Sequence, residues 1–188
     1  MGINHFEDFK IYLAGPIDFI KDSGVSFRNE ITEKLIQLGI DKNQIYNPLD
    51  KPVKTLAYKD FDVEKEHYYT LRKHQMWDDL EKLAKLTLHV DLRLVDKSDV
   101  IIAVIKPEIP LFGTIHEIVS ARQQKKPVLL IDPRGREGTS IWAIGLCGYK
   151  HIFSTIDSAI DYLSDVLHGK IEVDQGEWLF LNFKNGKK

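Results

Sequence analysis

The stretch FGTIHEIVSA, residues 112–121, carries one acid, Glu117, near the first turn of a predicted helix. Two jobs suit a carboxylate there. Thr114 and Glu117 stand three residues apart, the spacing of a capping box with Thr114 as N-cap and Glu117 reaching back to its amide. The other job is to attack an electrophile, and a helix N-terminus would help to keep the carboxylate charged for it. Two further residues have chemistry to offer. Tyr12 stands near the carboxyl end of the first predicted strand, and Asp91 opens DLRLVDKSD. Each also has a plain structural reading: strand packing for Tyr12, a helix N-cap or a solvated surface acid for Asp91. Asp99, just before the most apolar strand, reads as a turn residue.

The motifs that usually mark other chemistries are absent. There is no G-x-G-x-x-G and no G-x-x-x-x-G-K-[ST], so the common dinucleotide and P-loop phosphate cradles are not predicted. HEIVS opens like the zinc-peptidase motif, but Ser120 stands where the second histidine belongs. The seven histidines have no ligand spacing, and no G-x-S-x-G elbow occurs. Neither a metal nor a cofactor is expected.

The elements that must position these residues are read from periodicity. FKIYLAG (9–15) is a short buried strand closed by Gly15 and Pro16, and QIYNP (44–48) is another. Between them, residues 25–38 put Phe27, Ile31, Leu35 and Leu38 on one helical face. Arg28, next to Phe27, reads as part of the solvated face. Residues 60–97 are mostly helical, with a break expected between 86 and 90 where LTLHV brings in β-branched residues. DVIIAVI (99–105) and KPVLLID (126–132) are continuous apolar runs, as in strands buried on both faces of a parallel sheet. A helix over 113–124 lies between them. After a loop at 133–139 come a short helix near 140–146, a fifth strand in HIFST, and an amphipathic helix ending at Gly169. The tail KIEVDQGEWLFLNF alternates and predicts a hairpin, or an arm at 170–188 that reaches a partner subunit.

The whole predicts a single-domain α/β fold over 1–188: a mostly parallel five-stranded sheet with helices on both faces, Rossmann/flavodoxin-like. Such sheets bind ligands beyond the carboxyl ends of their strands. That directs attention to Ala14–Phe19, Lys106–Glu117 and Pro133–Thr139. Arg134 and Arg136 in the last segment read as solvated, and Trp77, Trp142 and Trp178 as core or subunit-interface packing.

Bulk properties narrow the partners. With 26 basic and 28 acidic residues the net charge is −2, and no basic stripe suits a nucleic-acid backbone. One cysteine, Cys147, excludes an intramolecular disulfide and reads as an inert core thiol. No apolar run approaches a membrane span, and the N-terminus does not read as a signal peptide, so a cytoplasmic protein without membrane contact is expected.

IYLAGPI at 11–17, NP at 47–48, the Asp91-to-Asp99 spacing ahead of VIIAVI, and G-T-x-x-E-x-x-x-A from Gly113 to Ala121 together resemble the nucleoside 2-deoxyribosyltransferase family, which includes nucleotide N-glycosidases. The resemblance spans about residues 9–131. It implies that Glu117 is a nucleophile that displaces the base from C1 of a nucleoside sugar and forms a glycosyl ester. A second base, or water, then takes the sugar. It implies that Tyr12 hydrogen-bonds and orients Glu117, and that Asp91 contacts the base and gives it a proton. Substrate-binding roles are expected for Gly15, Pro16, Asp18, Gly113 and Thr114. A homo-oligomer, dimer or higher, is implied too.

The chain departs from the family pattern in two places. Leu111 stands where many of the transferases have a further acid, and Glu108 is the only acid of the loop KPEIPLFGT. The first loop, AGPIDFIKDSG, lacks the glycine- and arginine-rich character of the monophosphate-cleaving relatives, and no serine occurs from 106 to 113. These features favour a nucleoside over a nucleotide. The expected reaction is transfer of 2-deoxyribose between bases. Hydrolysis of a nucleotide and a non-catalytic nucleotide-sensing module are the alternatives.

Overall fold

The computed structural model describes residues 9–50 and 61–182. Its centre is one sheet of five strands: β1 (Ile11–Ala14), β2 (Ile45–Tyr46), β3 (Val100–Val104), β4 (Val128–Ile131) and β5 (Ile152–Phe153). All neighbours pair in parallel, in the order β2-β1-β3-β4-β5. The parallel α/β expectation holds, with strands shorter than the apolar runs that announced them.

Side-chain alternation along the strands splits the interior in two. Ile11 and Leu13 join one core with Val100, Ile102 and Val104. Helices α1 (Val25–Gln37) and α7 (Ile156–Leu167) cover it with Phe27, Ile31, Leu35, Ile160 and Leu163. Tyr12 and Ala14 face the other way, with Ile101 and Ala103. That second core is covered by Leu94 and Val95 of α3 (Trp77–Lys97), Ile118 and Ala121 of α4 (Phe112–Gln123) and Cys147 of α6 (Ile141–Cys147). The residue at position 12 therefore points at the helices that carry positions 91 and 117. A one-residue slip of β1 would turn Tyr12 away from both.

Winding runs outward from β1 to β2 on one side, then resumes through β3 on the other. The reversal is a topological switch point at the carboxyl ends of β1 and β3, the place where sheets of this order bind ligands. The β1–α1 loop and the first turns of α4 border it.

Two expectations about the helices and the tail fail. The break near 86–90 does not occur, and α3 runs unbroken through all 21 of its residues. A β-branched residue costs a helix less than about 1 kcal/mol. That is little against the burial of Val90, Leu94 and Val95 on the same helix. The chain breaks earlier instead, at Gln75, whose φ of 56° separates α2 (Phe61–Lys73) from α3. The tail forms no hairpin among the described residues. Trp178 is fully buried in the α1–α7 core, Phe180 stacks on Phe9 at 4.9 Å, and a single turn, α8 (Leu179–Asn182), follows. The alternating apolar residues of the tail thus join this chain's own core as far as Leu181, and residues 183–188 of the expected arm lie outside the described residues.

Trp77 and Trp142 do not enter the core; they are 56% and 82% exposed. Among the described residues no helix is long and apolar enough to cross a membrane.

Candidate active site

Helix α4 begins at Phe112, with Leu111 at the N-cap and no side-chain cap. Thr114 is therefore not the N-cap, and Glu117 lies in the second turn rather than at N3. The capping-box reading fails, because capping groups act only on the first turn's free amides. The helix turns Glu117 inward instead. It is 9% exposed, and its Oε1 accepts a 2.6 Å hydrogen bond from the Tyr12 hydroxyl. The Tyr12 ring is fully buried in the second core, so packing fixes the phenol that points at the carboxyl.

Burial raises the Glu117 pKa from 4.5 to about 8; the Tyr12 hydrogen bond opposes the rise, the negative charge of Asp91 adds to it, and the positive charge of Arg28 opposes it. Desolvation wins because a carboxylate loses more hydration on burial than one phenol returns. Burial therefore works against the ionised form that a helix end was expected to favour. Tyr12 is pushed well above its ordinary 10, first by burial and then by the charges of Glu117 and Asp91, so it remains a donor.

Asp91 is half-buried in the middle of α3, neither an N-cap nor a fully solvated acid. Its charge acts on Tyr12, Glu117 and Arg28. The three residues singled out as chemistry-bearing, drawn from β1, α3 and α4, thus form one electrostatic cluster.

The remaining candidates divide. Gly15 and Pro16 are buried, and their carbonyls point inward to Arg28 Nη2 at 2.7 Å and Nη1 at 3.4 Å. A Cβ on Gly15 would sit 2.5 Å from the Phe27 ring, so close packing requires the glycine. Asp18 is exposed in the same loop, and its charge reaches Tyr68 of α2. Thr114 is buried beneath the first turn of α4, whereas Gly113 is exposed and a Cβ there would meet nothing within 4 Å. Asp99 is structural, as expected: it accepts from the Lys10 amide at 2.8 Å. Arg134 is not simply solvated; it grips buried Asp132 through Nε at 3.0 Å and Nη2 at 2.8 Å and so ties the loop after β4 to the single turn α5 (Gly135–Gly138) that follows. Cys147 is buried, and burial lifts its thiol to about 12, as suits an inert sulfur.

Arg28 departs from the solvated face that its neighbours in sequence suggest. It is fully buried, at 0% exposure. Its spacing holds the clue: Arg28, Ile31 and Leu35 repeat at three and four, the period of the buried face. The β1–α1 loop folds around it, and Gly24 lets it do so. Gly24 has φ 77°, and a Cβ there would fall 2.2 Å from Arg28 Nη1.

Among the described residues no group of three His, Cys, Asp or Glu side chains is arranged for a metal. A cavity of about 250 Å³ exists elsewhere, lined by Arg122, Lys150, His151, Tyr162, Asp174 and Glu177 among others, and shares no residue with the Tyr12–Asp91–Glu117 cluster.

Comparison with known proteins adds the following. The family model described as nucleoside 2-deoxyribosyltransferase matches residues 11–149. No curated protein matches the sequence. Among solved structures, the chain resembles a 2-deoxyribosyltransferase from the psychrotolerant bacterium Bacillus psychrosaccharolyticus, with a TM-score of 0.58 and 18% identity over 84% of this chain and 95% of that one. It also resembles a conserved protein from Enterococcus faecalis V583, with a TM-score of 0.53 and 19% identity over 87% of this chain and 99% of that one. At these identities the structures bear on the fold alone.

Proposed function

Because the chain belongs to the nucleoside 2-deoxyribosyltransferase family, we propose that it transfers a 2-deoxyribosyl group between nucleobases with Glu117 as the nucleophile. The observation that carries this reading is the buried Glu117 carboxyl held by the Tyr12 hydroxyl at 2.6 Å, at the switch point between β1 and β3.

The bonds change in two displacements. A carboxylate oxygen of Glu117 bonds to C1 of the sugar as the C1–N bond breaks, and Asp91 supplies the proton that neutralises the departing ring nitrogen. The second base then attacks C1, the ester C–O bond breaks, the carboxylate is regenerated, and Asp91 recovers a proton. Two inversions give net retention. Tyr12 holds one oxygen of Glu117 and leaves the other to react. Attack requires the ionised carboxyl, so any proton that Glu117 holds must leave first; it passes to the Asp91 carboxylate, which then carries it to the departing ring nitrogen.

Intact-protein mass after mixing with a panel of deoxynucleosides tests the reading. A sugar–protein adduct is expected, absent in Glu117→Gln. Adding a second free base should yield a new nucleoside. Release of only sugar and base would make the protein a hydrolase. Ligand-dependent stabilisation without an adduct or turnover would make it a sensing module, and a fully active Glu117→Gln would end the nucleophile reading.

A further inference from the structure

Helix α3 is longer than the sheet it covers. Its 21 residues span about 31 Å, against about 17 Å for the five residues of β3. Ser98 and Asp99 alone join the two elements, so α3 runs back along β3 and its first half stands past the carboxyl edge of the sheet. Burial follows that geometry: Val90, Leu94 and Val95 are buried, whereas Trp77, Leu86 and Leu88 are exposed. Helix α2 leans on this overhang. The Tyr68 hydroxyl donates to Thr87 Oγ1 at 2.6 Å, and Thr87 donates to Oε1 of buried Glu64 at 3.0 Å. Thr87 and Asp91 stand one turn apart on the same face of α3. The next residue of α2, Lys65, reaches the β1–α1 loop and donates from Nζ to Ser23 Oγ at 2.6 Å. The helix therefore joins the two walls that flank the carboxyl end of β1.

We infer that α2 is a hinged lid on the site: it swings about Gln75 and is latched shut by the Lys65–Ser23 hydrogen bond. Among the described residues none of α2 belongs to either hydrophobic core or packs against it, and the helix buries only Glu64 and Leu71. An element with so little apolar burial opens at a smaller cost than global unfolding. Its joint to α3 is a tight turn, with Gln75 at φ 56° and the Met76 amide donating back to the Leu71 carbonyl at 2.9 Å. Hinges are residues of this kind, at the end of an element, where a few backbone angles absorb the whole motion. The latch, like the bond from Tyr68 to Thr87, joins side-chain tips, so it breaks and remakes without disturbing either backbone. That a nucleoside enters beneath the lid rests on the proposed function; the hinge and the latch do not.

Hydrogen exchange read by mass spectrometry tests it, in the wild type, Lys65→Met, Ser23→Ala and the double variant. Peptides within 61–73 should exchange as one unit, faster than those covering 90–97 or the strands, with the boundary at 74–76. Loss of the latch should speed exchange of α2 roughly three- to tenfold in either single variant and no further in the double, while the strands stay unchanged. Thymidine or deoxyadenosine in excess should slow exchange of α2 in the wild type, and less so in Lys65→Met. The lid is overturned by an α2 that exchanges no faster than 90–97, by a Lys65→Met that leaves α2 unmoved, or by a double variant that adds the two single effects. It is also overturned if the sugar adduct forms while α2 stays unprotected. Protection of α2 without any adduct or turnover would sink the nucleophile reading and leave the lid; neither protection nor adduct would sink both.

Discussion

Glu117→Gln should make the protein more stable, by an amount that depends on pH. The carboxyl releases its proton at about 8 in the folded chain against 4.5 for the free side chain. The folded state therefore holds a proton that the unfolded state gives up. The stability this contributes is complete below pH 4.5, drains away as pH rises, and is gone above pH 8. Every tenfold difference in proton affinity between the folded and unfolded chain is worth about 1.4 kcal/mol, so the full swing is about 5 kcal/mol, most of which falls between about pH 5 and pH 8. Glutamine has nearly the same shape, its oxygen still accepts from the Tyr12 hydroxyl, and it does not titrate. The stability of Glu117→Gln minus that of the wild type should thus grow by about 3–4 kcal/mol from about pH 5 to pH 8. For a chain of this length the relative Tm should change by roughly 10 °C. Urea unfolding of both proteins at intervals across that pH range measures it, and titrating groups that do not act on Glu117 cancel in the difference. A difference that stays flat to within about 1 kcal/mol would refute the argument, because the carboxyl would then be as hydrated when folded as when unfolded.

Three further outcomes are expected. Tyr12→Phe removes the donor to Glu117, so the titration midpoint of the carboxyl should rise; a hydrogen bond to a charged group is worth about 1.5–3 kcal/mol, which predicts a roughly 10- to 100-fold loss in turnover. Gly24→Ala and Gly113→Ala should behave oppositely in thermal melts. The first drives a methyl to 2.2 Å from Arg28 Nη1 and 2.6 Å from the Pro16 carbonyl at positive φ and should cost at least about 2 kcal/mol, while the second enters open space in a helix and should be neutral or gain up to about 1 kcal/mol. Thr87→Val cuts the 2.6 Å bond to the Tyr68 hydroxyl and the 3.0 Å bond to buried Glu64, loosening α2 from α3, and should lower stability by about 1–3 kcal/mol in urea titrations.

The division between what the residues announce and what the fold decides is visible at single positions. Runs such as VIIAVI and PVLLI declare buried strands because nothing but a sheet covered on both faces can hide them. The set of Tyr12, Asp91 and Glu117 was legible through the resemblance of an ordered series of motifs to the family, and a strand's two-residue period already put Tyr12 on one side of the sheet. Local pattern failed where it competed with burial. Thr114-x-x-Glu117 spells a capping box, yet α4 starts two residues before Thr114 and spends Glu117 on a tertiary contact with Tyr12. LTLHV spells a break, yet packing carries α3 through it.

By itself, then, the sequence determined the layered α/β plan and the parallel sheet, since these follow from hydrophobic period, and its resemblance to the family pointed to the two acids and the phenol. Only the tertiary structure decided the charge they carry. Whether Glu117 keeps its proton, and whether Arg28 faces water or five carbonyls, depends on how much solvent the assembled layers exclude. Dehydration is a property of all the elements that close around a group, and no stretch of chain carries it alone.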